Sequence, residues 1–91
     1  LPNKEEILIG RAKPGVTPRP DVDMVPHGGD QSGISRQHAR MRHLADGWVI
    51  EDLESTNGTF VNGAQVSPGE QVRVRTGDII RLSMLTFIFY E

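Results

Sequence analysis

The 91-residue chain contains no cysteine. That excludes a disulfide framework, a thiolate metal site and a cysteine nucleophile. Aromatic residues are scarce, at 5%. No apolar run approaches the roughly 20 residues that a membrane-spanning helix needs. Leu1-Pro2-Asn3-Lys4 does not read as a signal peptide, so a cytoplasmic location is expected. Positive charge is not in excess: 10 Lys and Arg against 12 Asp and Glu leave a formal charge of −2. A generally basic nucleic-acid binder is thereby excluded. There is no acidic or low-complexity run of the kind that keeps a chain disordered, and no internal repeat or linker. The length suits one domain spanning 1–91, with a core over 7–90. Because residue 1 is Leu rather than Met, the domain is expected to be part of a larger protein.

Glycine and proline are plentiful instead, 10 and 6 respectively. About one residue in six therefore punctuates the backbone, which cuts the chain into short elements and argues against a helical bundle. Glu5 to Ile9 reads as a short extended run ended by Gly10. Arg11 to Pro20 holds three prolines and a glycine and reads as loop. Asp21 to Val25 is a further short strand candidate, and Pro26 to Gly33 a Gly-rich loop. From His38 onward, Ala39, Met41 and His43 share one parity and Arg40 and Arg42 the other. That period of two predicts a half-buried strand. Good helix formers make a helix over 36–45 the alternative, but Asp46-Gly47 followed by Trp48-Val49-Ile50 favours two strands joined by a turn. Asn57-Gly58 and Asn62-Gly63 flank Thr59-Phe60-Val61, and Asn-Gly is a strong hairpin signal. Val72 and Val74, then Ile79 to Leu82, then Leu85, Phe87 and Phe89 continue the alternation. About eight short strands with regular turns predict an all-β sandwich or barrel, with Trp48, Phe87 and Phe89 in its core.

Three loop segments are rich in groups that bind anions: Gly10-Arg11, Gly33-Ile34-Ser35-Arg36, and Ser55-Thr56-Asn57-Gly58-Thr59. A phosphate wants this mixture of planar guanidinium fork, hydroxyl donors and exposed backbone N–H groups.

These segments sit in four blocks: Ile9-Gly10-Arg11, Ile34-Ser35-Arg36-Gln37-His38-Ala39, Asp52 through Gly63, and Gly77-Asp78-Ile79-Ile80-Arg81-Leu82. In this order and separation they resemble the forkhead-associated (FHA) domain. The resemblance covers residues 7–89 and implies an all-β, antiparallel β-sandwich of about ten to eleven short strands with the binding loops at one end. It implies a non-enzymatic phosphothreonine-dependent interaction module, with no cofactor or metal, partnered by proteins phosphorylated in Ser/Thr kinase pathways and by neither nucleic acid nor membrane. By resemblance, Arg11 contacts the phosphate, Ser35 adds a hydroxyl and Arg36 a further contact. Thr56 contributes its hydroxyl or backbone N–H, and the Asn57 carboxamide holds the peptide backbone. Gly10, His38 and Gly58 shape the loops. The chain departs from the pattern in its long proline-containing stretch between Arg11 and Ser35. It also has Gly33 where the family often has a side chain that reads the third residue after phosphothreonine, and Ser83 where glycine is common.

Other readings of the same residues are weaker. A hydrolase using Ser35 and His38 is disfavoured because three residues along a strand span roughly 10 Å and face opposite ways. His38 is expected to be a hydrogen-bonded structural residue. His27 and Asp30 in the Gly-rich loop lack the spacing of a metal site. Arg40 and Arg42, with no acid between Asp30 and Asp46, are expected on a solvated strand face; nucleic-acid binding by the Arg36–Arg42 stretch is the competing possibility. A phosphate-independent scaffold that binds through an exposed sheet face is the alternative of another kind.

Overall fold

The computed structural model describes residues 5–25 and 33–91. Residues 26–32 of the Gly-rich loop, His27 and Asp30 among them, lie outside the described residues. Nine strands form among the rest: β1 (Glu6–Gly10), β2 (Val22–Asp23), β3 (Ala39–Leu44), β4 (Gly47–Asp52), β5 (Thr59–Val61), β6 (Ala64–Gln65), β7 (Val72–Val74), β8 (Ile79–Leu82) and β9 (Leu85–Ile88). The five-stranded sheet has the order β2-β1-β3-β4-β7 and the four-stranded sheet the order β6-β5-β8-β9. The all-β sandwich holds, with two amendments: nine strands form among the described residues rather than ten to eleven, and β1 and β2 pair in parallel. The helix alternative over 36–45 gives way to β3 and the turn that follows it.

Alternation places one face of each strand inside. Ile7 and Ile9 of β1, Ala39 and Met41 of β3, Trp48 and Ile50 of β4 and Val74 of β7 come from the larger sheet. Val61, Ile80 and Leu82 come from the smaller one, with Phe89 just beyond β9, and all are buried in one cluster. Phe87 is half-buried against that cluster. His43, on the same face of β3 but at its exposed end, stacks on Trp48 with ring centroids 4.8 Å apart. Trp48 meets Phe89 edge-on at 6.5 Å.

The outward face of the larger sheet is a ladder of paired charges. Arg42 sits opposite Glu6, and Arg40 opposite Glu51. Their guanidinium groups reach those carboxylates at 3.1–3.6 Å. Solvent reaches this strand face as expected, yet its two arginines are neutralised by acids on β1 and β4.

Register fixes which loops gather at one end. Ile9 pairs with Ala39 and Ala39 with Asp52, so the end of β1, the start of β3 and the end of β4 coincide. On the other sheet Thr59 pairs with Leu82, and Leu82 with Leu85. The Thr59 hydroxyl donates to Asp52 Oδ1 at 2.7 Å and ties the two sheets together at that end.

Candidate functional site

Gly10 ends β1 where the backbone must pass close to the 35–36 segment. A Cβ there would lie 1.9 Å from the Arg36 carbonyl oxygen. With no side chain in the way, the Arg11 N–H is shared between the carbonyl oxygens of Ser35 and Arg36, at 3.1 and 3.2 Å. The Arg11 Nε–H donates to the Ile34 carbonyl at 3.0 Å. That bond fixes the plane of the guanidinium and leaves both terminal nitrogens for an incoming anion.

Residues 34–38 form a tight turn ahead of β3. The His38 ring is fully buried and folds back so that Nδ1 accepts the Ser35 backbone N–H at 3.1 Å. Nε2 lies 2.8 Å from the Gly58 carbonyl oxygen. Both bonds are satisfied together by the neutral Nε2–H tautomer. Burial holds the His38 pKa below its ordinary value of 6.5, against the raising influence of the Gly58 carbonyl and of Asp52. One imidazole thus joins two loops that are 20 residues apart. The strand-distance objection to a Ser35–His38 hydrolase does not stand, because this stretch is a turn and not a strand. Proton transfer from the Ser35 hydroxyl is disfavoured for another reason: both ring nitrogens are occupied by backbone groups.

The β4–β5 loop is built around Asp52, which is buried at the end of β4. Its carboxylate accepts the Ser55 hydroxyl, the Ser55 N–H at 3.1 Å and the Thr59 hydroxyl at 2.7 Å. The Ser55 oxygen in turn accepts the Gly58 N–H at 3.0 Å. The Thr56 N–H donates to Ser35 Oγ at 3.0 Å. Ser35 is therefore an acceptor toward Thr56, and its own proton is directed elsewhere. With the Thr56 N–H engaged, its hydroxyl is the group left for a ligand. The Asn57 carboxamide donates to the Gly33 carbonyl at 2.9 Å. Gly33 has φ of +78°, and a Cβ on it would lie 2.3 Å from the Asn57 amide nitrogen. Glycine at 33 is thus demanded by Asn57. Ser83 takes the left-handed conformation (φ 56°) in the β8–β9 turn, and its N–H donates to the Gly58 carbonyl at 3.0 Å.

Arg11, Ser35, Arg36 and Thr56 all line one open depression of about 510 Å³. Asn57 stands beside it, exposed, on the Gly33 side. Gly10, His38 and Gly58 lie behind it as packed supports. Three features escaped the sequence reading. Lys13 lines the same depression. It begins a turn closed by Val16 N–H to Lys13 C=O at 3.1 Å, with Gly15 at φ +77°. The signal was present in Lys13-Pro14-Gly15-Val16, the pattern of a type II turn. Asp52 and Thr59 are the second and third, and the signal for Asp52 was an acid three residues ahead of Ser55 at a strand end.

A family model described as the FHA domain matches residues 7–83. Protein FraH of Nostoc sp. is 37% identical over 91 residues, which cover 97% of this chain. The chain spans only 30% of FraH's own length. The solution structure of the FHA domain of an Arabidopsis thaliana hypothetical protein superposes with a TM-score of 0.71 at 32% identity, covering 91% of this chain and 63% of that one. The N-terminal FHA domain of S. cerevisiae Rad53p, solved with a phosphothreonine peptide, gives 0.72 at 26% identity, covering 91% and 64%. With the motif blocks on converging loops and the family match over nearly the whole sandwich, the chain belongs to the forkhead-associated family.

Proposed function

We propose that this domain is a non-enzymatic, phosphothreonine-dependent interaction module that recruits proteins already phosphorylated by Ser/Thr kinases. The observation that carries this reading is the meeting of the Arg11 guanidinium, the Ser35 hydroxyl and the Thr56 hydroxyl around one open depression. Phosphothreonine brings roughly −1.5 to −2 charges and three acceptor oxygens. Arg11 offers two unspent nitrogens, Ser35 a hydroxyl whose oxygen already accepts the Thr56 N–H and whose proton is free to turn to a ligand, and Arg36 a further cation. Each charge-assisted bond is worth about 1.5–3 kcal/mol net. Three or four of them, less the cost of association, correspond to micromolar binding, about −8 kcal/mol. Unphosphorylated threonine would leave these donors unpaired. Asn57, which can donate and accept at once, holds the peptide main chain beside the phosphate. The Rad53p domain bound to a phosphothreonine peptide supports this reading by likeness.

Titration with a phosphothreonine peptide and its threonine and phosphoserine counterparts tests it. Arg11→Ala and Ser35→Ala each lower affinity at least tenfold while the domain stays folded; wild-type affinity in either variant would count against the assignment. Binding also weakens below about pH 6 as the phosphate takes up its second proton, so a flat profile from pH 5 to 8 would contradict it. The phosphate-independent scaffold keeps a place because Ile79 and Ile88, paired across β8 and β9, and Tyr90 are exposed on the smaller sheet. It predicts equal affinity for phosphorylated and unphosphorylated partners.

A further inference from the structure

The depression contains more positive charge than one phosphate requires. Arg11, Lys13 and Arg36 all line it, and among the described residues no carboxylate does. Elsewhere most of the described basic side chains are engaged: Arg40, Arg42 and Arg73 are paired with Glu6, Glu51 and Asp46, and Arg81 lies 3.7 Å over the Phe60 ring, while Arg19 and Arg75 form no ion pair among the described residues. The molecule as a whole carries −2, so acids are available. Among the described residues none forms an ion pair with Arg11, Lys13 or Arg36.

The backbone at Lys13 is also held in place, while its side chain is exposed. The Ala12 N–H donates to Asp23 Oδ1 at 3.1 Å, and the Lys13 carbonyl closes the turn to Val16. Asp21 N–H to Leu8 C=O and Met24 N–H to Gly10 C=O, at 2.7 and 2.8 Å, tie the far end of the β1–β2 loop to β1. Lys13, Val16, Thr17 and Pro18 form one wall of the depression, facing Ser35, Arg36 and Thr56. A peptide seated by its phosphate on Arg11 and Ser35 would share this depression with the Lys13 side chain.

We propose that Lys13, with Arg36, forms a second anion subsite, and that the domain prefers phosphothreonine peptides with another negative group close to the phosphothreonine. This rests on the phosphothreonine reading above and assigns Lys13 as a specificity-determining residue for it. The second anion is a carboxylate or a second phosphate. An exposed lysine–carboxylate pair is worth about 0.2–1 kcal/mol, or up to about fivefold in affinity. A phosphate, with nearly twice the charge, gives more.

The experiment is a charge-reversal cycle. Phosphothreonine peptides carrying Glu, phosphoserine, Gln or Lys at each of the three positions on either side are titrated into the wild type, Lys13→Ala and Lys13→Glu. In the wild type, Glu at one position improves affinity roughly threefold to fivefold over Gln, and phosphoserine improves it further. Lys13→Ala flattens that preference. Lys13→Glu reverses it in favour of Lys, while its thermal midpoint stays within a few degrees of the wild type. If phosphoserine alone confers the gain, the second group is a phosphate; if Glu does so too, a carboxylate suffices. Should phosphopeptides bind and depend on Arg11 while the acidic preference is absent or survives both Lys13 substitutions, this inference falls and the phosphothreonine reading stands. Should no phosphothreonine peptide bind, both fall.

Discussion

At His38, one added proton would remove the acceptor that the Ser35 N–H uses and turn Nδ1 into a competing donor. Burial already depresses the His38 pKa below 6.5, so the unfolded chain takes up that proton first. The stability this residue contributes is present in full above about pH 6.5. It declines as pH falls through that value toward the folded-state pKa and levels off below it. The thermal midpoint of the ligand-free domain therefore drops between pH 7 and pH 5, and His38→Gln shows a shallower drop over that window. Reading the midpoint without ligand separates this effect from protonation of the phosphate. His38→Ala costs about 2–3 kcal/mol, from a cavity and a stranded Ser35 N–H, as measured by urea unfolding. Gly33→Ala acts differently. It forces a left-handed alanine and drives a methyl group into the Asn57 amide, so phosphopeptide affinity falls by more than stability does. At Gly15 a Cβ meets nothing within 4 Å. Gly15→Ala therefore bears only the cost of a left-handed alanine, about 1–2 kcal/mol, with affinity preserved. Equal binding losses at 33 and 15 would refute this distinction.

Among the elements, the β4–β5 loop depends on a single carboxylate. Asp52→Ala removes the acceptor for Ser55 and Thr59 at once. It is expected to cost about 2–4 kcal/mol and to loosen the loop that presents Thr56 and Asn57. Retained affinity in a folded Asp52→Ala variant would show that the loop orders itself without that anchor. Elements were also the scale at which the sequence was most legible. The alternation of Ile7 and Ile9, of Ala39 and Met41, and of Val72 and Val74 is imposed by a core on one side of each strand. Asn62-Gly63 marks the β5–β6 turn because both residues take positive φ. The Ser35–His38 separation was misjudged as that of a strand because the turn between them is set by the His38 ring reaching Gly58, a contact across 20 residues. Which residues form the candidate site was legible from their chemical types and order. How Asp52 and Thr59 hold it together was not, since those hydrogen bonds exist only once the two sheets meet.

Across the whole molecule, charge is sorted by location. The outward face of the larger sheet balances Arg40 and Arg42 against Glu6 and Glu51, partners 34 and 11 residues from Arg40 that no local window could reveal. The binding end keeps its cations bare. Nucleic-acid binding through the Arg36–Arg42 stretch is correspondingly disfavoured. Arg40→Ala and Arg42→Ala leave phosphopeptide affinity within about twofold and lower stability by about 1–2 kcal/mol each, because the arginines are partly exposed but their shared partner Glu51 is buried. A tenfold loss of binding in either would mean that the sheet face takes part in recognition.

The three walls of the depression are not joined to one another in the same way. Two are stapled together by an imidazole, so residues 33–38 and 53–58 would have to be transplanted as a single cassette. The stretch from Lys13 to Pro18 is fastened chiefly at its own two ends, to β1 and to Asp23. A designer wishing to retune which sequences the proposed phosphopeptide site accepts has in that stretch a segment to diversify while the Arg11–Ser35 side is left as it stands.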